Sequence, residues 1–247
     1  MRILLVNPNM TVAMTDTMTA IAQGVAGDRA EVVPLTAEKG FPYIASRAEA
    51  QIAGGIALEM IAENLDGIDA VVLAAFGDPG LAAARELFDL PMVGMAEAAV
   101  MSAAMLGERF SVVTFTPLMA RWYADSIADT GLGSRFAGVR TPSLREVNVL
   151  QVAADLRSDL VALAKAAVDE DKADVIILGG APLAGLAPLI ASEVPAIVID
   201  PIAAATAQAI ALASLQLEFR GRASKPAAKT SIGLPAQLSR VIAKEDA

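Results

Sequence analysis

The chain has 247 residues, with 28 acidic and 19 basic side chains and a formal net charge of −9. This acidic balance argues against a nucleic-acid or anionic-membrane surface, because both need clustered Lys and Arg. The chain contains no histidine and no cysteine, which excludes Ser-His-Asp and Cys-His catalysis, disulfides and most zinc sites. Acid–base chemistry must therefore come from Asp, Glu, Lys, Tyr or a bound water.

Short apolar runs alternate with longer helical patterns along the chain. The predicted strands are residues 3–6, 31–35, 70–74, 110–115, 175–178 and 196–199. The predicted helices are residues 11–25, 48–64, 81–87, 96–106, 118–130, 147–169 and 202–217. Strands that alternate with helices of this length form βαβ units with a parallel sheet and right-handed crossovers. The sequence therefore predicts an α/β protein.

An internal repeat suggests two lobes. Residues 69–81 (DAVVLAAFGDPGL) match residues 174–186 (DVIILGGAPLAGL), and each segment is followed by a further strand pattern. Any two βα units look alike, but agreement over a strand, loop, helix and second strand favours a duplicated architecture. Two parallel-sheet lobes related by a pseudo-twofold would place both loops at one cleft, since ligands bind outside the carboxyl ends of parallel strands.

The repeat also predicts the domain organisation. The first lobe comprises residues 1–100 and about 200–217, the second lobe comprises residues 101–199, and a tail follows at residues 218–247. The tail is expected to pack over its own domain or a neighbouring subunit, or to be partly disordered. The opening apolar run is too short for a signal peptide, and the most membrane-like stretch is interrupted at Asp200 and Gln208. We therefore expect a soluble, cytoplasmic protein without a membrane partner.

Five segments together resemble hydantoin racemases of the aspartate/glutamate racemase superfamily. They are the opening strand into Asn7-Pro8-Asn9, LAAFGDPGL (73–81), PMVGMAEAA (91–99), MLGERFSVVT (105–114) and LGGAPLAGL (178–186). The resemblance implies two Rossmann-like lobes facing one cleft, cofactor-independent racemisation at a carbon next to a carbonyl, and a homo-oligomer. It implies a small-molecule ligand (a hydantoin, a ureide or a carboxylate) and neither a cofactor nor a metal.

In the family that this chain resembles, one cysteine from each lobe exchanges the α-proton. The resemblance places the two cysteine positions at Ala75 and Gly180. Neither residue can accept or donate a proton, so the two-cysteine mechanism is absent. Pro182 also departs from the family pattern, which favours divergence of the whole loop over a simple loss of two thiols.

Several polar groups remain as candidate ligand contacts. Backbone N–H groups of Phe76, Gly77 and Ala181 lie in loops predicted to enter helices, where unpaired amides and the helix dipole favour an anion. Asn7 and Asn9 end the first strand, and their amides either hold a substrate carbonyl or cap the next helix.

The other candidates are hydroxyl and carboxyl side chains, listed here as Tyr43, Ser46, Thr114, Thr116, Asp78 and Glu97. A phenol such as that of Tyr43 is a weak base, because its pKa is ordinarily near 10. The threonine hydroxyls end a strand and either face the cleft or have no function. Asp78 before a proline is predicted to cap a helix rather than to act as an acid, and Glu97 to favour a helix N-terminus. Residues 121–123 are predicted to close the cleft or to form a subunit contact.

These observations leave three functions open. The first is an enzyme of the racemase superfamily that acts on a small hydantoin, ureide or carboxylate with altered chemistry. The second is a non-catalytic protein that binds a small anion. The third is a decarboxylase or another carbon–carbon lyase that uses a different acid. No Gly-rich nucleotide motif supports a nucleotide-binding function.

Overall fold

The computed structural model describes residues 1–219 and 222–245, and it contains two parallel sheets of four strands each. The first sheet has the order β2-β1-β3-β4, with β1 (Arg2–Asn7), β2 (Glu31–Thr36), β3 (Ala70–Leu73) and β4 (Met92–Gly94). The second has the order β6-β5-β7-β8, with β5 (Phe110–Val113), β6 (Phe136–Arg140), β7 (Val175–Leu178) and β8 (Ile197–Ile199). The strand order is the same in both sheets. The predicted α/β class is confirmed.

Ten α-helices are found in the described part of the chain. They are α1 (Val12–Ala26), α2 (Arg47–Glu63), α3 (Leu81–Leu87), α4 (Met95–Leu106), α5 (Ala120–Asp129), α6 (Val152–Asp155), α7 (Arg157–Asp169), α8 (Ala187–Ile190), α9 (Pro201–Ser214) and α10 (Ala236–Ala243). No helix among the described residues is long and apolar enough to cross a membrane.

The repeat is visible in how the central strands are anchored. Strands β3 and β7 are buried at all four of their positions, which explains their unbroken apolar sequences. The residue before each strand is an aspartate that binds the start of the neighbouring strand. Asp69 accepts a hydrogen bond from the Arg2 N–H at 2.7 Å. Asp174 accepts from the N–H groups of Glu108 and Arg109 at 2.8 and 3.0 Å.

Several parts of the chain differ from the predicted elements, and α8 is one element that was not predicted. The predicted helix 147–169 begins only at Val152, because the Asn148 side chain accepts from the Leu150 N–H at 3.0 Å and holds a turn. Strand β6 was not predicted. It is a half-buried edge strand with Gly138 at φ 142°, so its sequence lacks both the apolar run and the alternation of a typical strand. Helix α10 was not predicted either.

Helix α9 and the tail contact the first sheet and its helices. Helix α9 packs against α1, α4 and β3, and α10 packs against α2. Arg222 bonds the Asp89 carboxylate at 2.7 Å and the Phe88 carbonyl at 3.1 Å. These contacts support the domain division predicted from the sequence, which stays a prediction. Residues 220, 221, 246 and 247 of the predicted tail lie outside the described residues.

Candidate functional site

A small cavity lies between the two sheets, at the carboxyl ends of their strands. Its lining consists of Asn9, Tyr43, Ile44, Ala75, Phe76, Trp122, Tyr123 and Ala181. The residues come from both halves of the repeat, since Ala75 follows β3 and Ala181 follows β7. The cavity volume is about 20 Å³, which is enough for one water molecule. We call this space the cleft cavity.

The two loops that follow β3 and β7 contain lining residues whose backbone N–H groups have no backbone acceptor within the described part of the chain. Among the residues that the structure describes, the N–H groups of Ala75, Phe76 and Ala181 donate to no backbone acceptor. The prediction that these loops lead directly into helices is only partly right. Helix α3 begins at Leu81, and Ala181 opens a single 3₁₀ turn that ends at Leu183. The N–H groups without a backbone acceptor in these two loops therefore do not belong to the N-terminus of a long helix.

The two asparagines of the first strand have different roles. Asn7 is fully buried, and its amide group bonds Asn9 and the Thr15 hydroxyl at 2.9–3.1 Å. Asn9 accepts from the Thr11 N–H at 3.0 Å, but its Nδ2 has only the Met14 sulfur at 3.8 Å. A thioether is a weak acceptor. Asn7 therefore supports the loop, and Asn9 retains a donor at the cleft cavity.

The cleft cavity contains two phenol groups. The hydroxyls of Tyr43 and Tyr123 lie 3.1 and 3.3 Å from the Met119 sulfur. Tyr123 is almost completely buried, and its ring packs on Phe76 with the ring centres 4.6 Å apart. Burial raises the pKa of both tyrosines above the ordinary value of a phenol. Both side chains are therefore neutral near pH 7, and both are poor bases.

Gly180 lies just behind the lining of the cleft cavity. Its backbone has φ 115° and ψ 137°, a conformation that L-residues rarely adopt. A Cβ atom built on Gly180 would lie 3.3 Å from Phe115 Cε1 and 3.4 Å from Tyr123 Oη. The hydroxyl of Tyr123 is therefore next to the position where a side chain at residue 180 would begin.

Besides Asn7 and Gly180, four further predicted site residues do not line the cleft cavity. Ser46 is the N-cap of α2 and accepts from the Glu49 N–H at 3.2 Å. Thr116 is the N-cap of the 3₁₀ turn at 117–119 and bonds the Leu118 N–H. The Thr114 hydroxyl is buried without a partner among the described residues. Gly77 lies under the Trp122 indole, outside the cavity.

Asp78 is a helix cap, but not of the helix that follows it. Its carboxylate accepts from the N–H groups of Ala96 and Glu97 at 2.8 and 2.7 Å, so it caps α4 rather than α3. Burial raises its pKa to about 7, although the two backbone hydrogen bonds act in the opposite direction. Glu97 lies in the first turn of α4 as predicted and pairs with Arg85 at 3.0 Å.

Two aromatic side chains of α5 contribute more to the site than the sequence indicated. Trp122 and Tyr123 were predicted only to close the cleft or to form a subunit contact, together with Arg121. Both line the cleft cavity, whereas Arg121 is exposed. Ile44 was not predicted at all. Its place after Tyr43 in a Gly-Phe-Pro loop was the only available signal.

Comparison with known proteins identifies the family. The sequence model of the Asp/Glu/Hydantoin racemase family matches residues 3–209. A hydantoin racemase from Pseudomonas sp. (strain NS671) is 36% identical over 208 residues, which cover 83% of this chain and 82% of that protein. The chain belongs to the Asp/Glu/hydantoin racemase family.

Solved structures of this racemase family agree with the fold described above. An allantoin racemase from Klebsiella pneumoniae superimposes with a TM-score of 0.87 at 32% identity, covering 97% of this chain and 98% of that chain. An allantoin racemase from Pseudomonas fluorescens gives the same TM-score and identity, covering 94% of this chain and all of that chain (100%). The resemblance to hydantoin racemases that the motifs indicated is therefore confirmed.

Proposed function

We propose that this chain binds a small, neutral ring ureide of the hydantoin class at the cleft cavity, which must widen to admit the ring, and does not racemise it through a pair of thiols. The observation that carries the proposal is the chemistry of the lining. Its polar groups are the Asn9 amide, the two phenols and free backbone N–H groups, and none of its residues is a carboxylate or an ammonium group.

These groups match the surface of a ureide. A ring ureide presents carbonyl oxygens that need donors, and it carries no charge that needs a counter-ion. Asn9 Nδ2 and the N–H groups of Ala75 and Ala181 are donors without a strong intramolecular acceptor. Buried polar groups are costly unless they are hydrogen-bonded, so a ligand that pairs with them gains affinity. Names of relatives in the family, hydantoin racemase and allantoin racemase, refer to ring ureides as well.

The same lining argues against proton abstraction. Removal of a proton next to a carbonyl needs a positioned base whose pKa lies near the working pH. The chain has no cysteine or histidine, and burial raises the pKa of both phenols. Ala75 and Gly180, where the resemblance places the two thiols, are inert. Binding without racemisation is the consequence.

A lyase reaction that needs one acid is the second candidate, and it rests on Tyr123. The phenol oxygen lies 3.4 Å from the built Cβ of residue 180, and the phenol is protonated. If a substrate carboxylate left as carbon dioxide, its bonding electrons would remain on the α-carbon. That carbanion would take the phenol proton, and the phenolate would regain a proton from water. This candidate needs a carboxylate substrate, whereas the first needs a neutral ring.

The test combines calorimetry with proton exchange in deuterated water. We expect hydantoin to bind, and we expect its ring C5 proton to exchange no faster than in buffer alone. Asn9→Asp keeps the acceptor oxygen that Thr11 uses and removes the donor, so affinity should fall about tenfold. Protein-dependent exchange, or no hydantoin binding, would contradict the proposal. Carbon dioxide released from an aryl- or alkylmalonate, and lost in Tyr123→Phe, would favour the lyase.

A further inference from the structure

Two separate spaces in this protein meet at one side chain. The first is the cleft cavity of about 20 Å³. The second is a groove of about 460 Å³ between α2, the loop 77–80 and α5, and we call it the outer groove. Trp122 lines both spaces and is the one residue that they share. The indole of Trp122 therefore borders both spaces.

We propose that Trp122 is a specificity-determining residue whose indole turns aside to admit the ring substituent of the ligand into the outer groove. The proposal rests on the proposed function, because it assumes that the ureide ring binds at the cleft cavity. It adds the location of the substituent and the chemistry that the substituent must have.

Volume is the first argument. Pockets for small organic ligands are usually about 300–1,000 Å³, and the cleft cavity at about 20 Å³ is far below that range. The outer groove at about 460 Å³ lies within it. Any ring ligand therefore needs more space than the cleft cavity has with the indole in place, and a substituted ring needs more still. Trp122 is the lining residue that the two spaces share, so movement of its indole would join them.

The contacts of the indole are the second argument. Trp122 belongs to α5, but its indole lies against Gly77 in the loop after β3. A Cβ atom on Gly77 would lie 2.6 Å from Trp122 Cζ2, so the indole fits there only because residue 77 is glycine. Its other neighbours include the apolar cluster of Ile44, Ala50 and Ala53 and the ring of Tyr123, whose centre lies 5.5 Å away.

The indole N–H donates no hydrogen bond to any of the residues described, so the indole can turn without breaking one. The cost of turning is then the loss of apolar contacts, with Ile44 and Ala50 on one side and with the ring of Tyr123 on the other. An apolar substituent that packs on the turned indole would offset that cost.

The lining of the outer groove defines the substituent. Part of its lining is small and apolar, with Gly54, Gly55 and Leu58 of α2. The polar part includes the ion pair of Arg47 with Asp125 and the further carboxylate of Asp129. A lining with apolar surface and more carboxylates than cations favours an alkyl or arylmethyl group and disfavours a substituent that carries a carboxylate.

The chain offers a matched pair of variants for the test. Gly55 lies on the groove side of α2, and a Cβ atom built on it meets nothing within 4 Å. Gly55→Phe should therefore fill the outer groove without disturbing the cleft cavity. Gly24 in α1 is equally open and lines neither space, so Gly24→Phe is the control.

The readout is the affinity for hydantoin, 5-benzylhydantoin and hydantoin-5-acetic acid, measured by calorimetry. Trp122 is the only tryptophan of the chain, so its fluorescence reports the movement of the indole. Each buried methylene group strengthens binding roughly fourfold. We therefore expect the benzyl compound to bind at least about tenfold more tightly than hydantoin, with a shift in tryptophan emission, and the acetic acid derivative to bind less tightly than the benzyl compound.

The outcomes separate the inference from the proposed function. In Gly55→Phe the benzyl preference should disappear while hydantoin affinity stays unchanged, and in Gly24→Phe the preference should remain. Trp122→Leu, which removes the indole, should increase the preference and serves as a second test if Gly55→Phe does not fold. A benzyl preference that is absent from the wild type, or unaffected by both Gly55→Phe and Trp122→Leu, would overturn the inference. Failure of all proteins to bind hydantoin would instead overturn the proposed function.

Discussion

Replacing Gly180 with alanine tests whether a side chain at residue 180 fits the present second loop. The backbone has φ 115° and ψ 137°, and holding an L-residue in such a conformation costs about 1–3 kcal/mol. The new Cβ atom would also lie 3.3 Å from Phe115 Cε1, which must move by a few tenths of an ångström. We expect Gly180→Ala to lower the free energy of unfolding by about 2 kcal/mol, or Tm by about 4–8 °C.

The measurement is equilibrium unfolding in urea, followed by circular dichroism, with a thermal scan as a second readout. Gly24→Ala is the matched control, because Gly24 lies inside α1 in open space and alanine should stabilise a helix there by about 0.5–1 kcal/mol. If Gly180→Ala unfolds within about 0.5 kcal/mol of the wild type, the strain argument is refuted.

Three further predictions concern the loops and their caps. Restoring both thiols with Ala75→Cys and Gly180→Cys should not give efficient hydantoin racemisation, because an error of about 1 Å in placement costs on the order of a hundredfold; turnover near that of a cysteine-bearing relative would contradict this. Ser46→Ala should cost about 1 kcal/mol in urea unfolding, as the N-cap of α2 is lost. The raised pKa of Asp78, about 7, means that the native state holds this proton more tightly than the unfolded chain does. Its stabilising contribution is therefore complete below about pH 4 and is lost by about pH 7, so the stability of the wild type relative to Asp78→Asn should fall between about pH 4 and pH 7.

The sequence predicted the central strands well because burial leaves a clear signal there. Strands β3 and β7 have every residue buried, and their unbroken apolar runs identify them directly. Strand β6 is half-buried at the sheet edge, so tertiary pairing with β5 determines it rather than its own pattern. Local sequence patterns could not indicate the hydrogen-bond partner of Asp78 either, because Ala96 lies eighteen residues further along the chain.

The sequence predicted which loops form the candidate site, but it did not predict which side chains line it. The repeated motif led to Ala75 and Ala181, which line one cavity. By contrast, the direction of a side chain depends on packing between the lobes. Asn7 and Asn9 are two residues apart, yet the Asn7 side chain is hydrogen-bonded within the protein, whereas Asn9 Nδ2 has only a weak acceptor. The position of the Trp122 indole depends on Gly77 in the opposite lobe, and no periodicity of α5 indicates that contact.

The way the two loops are held argues for a site built to bind. In each lobe, one carboxylate joins the loop to the helix that follows the next strand. The loop supplies the carboxylate in the first lobe, and the start of the helix supplies it in the second lobe. In the first lobe Asp78 of the loop bonds the first turn of α4, at the Ala96 N–H. In the second lobe Asp200, at the start of α9, bonds the Gly185 N–H of the loop at 2.6 Å and the Ile202 N–H at 2.9 Å. Each tie fixes the loop backbone relative to a helix N-terminus through a hydrogen bond from a backbone N–H to a carboxylate. Fixed loops keep the backbone donors in place before a ligand arrives, which lowers the entropic cost of binding and needs no proton-transfer group at either Ala75 or Gly180.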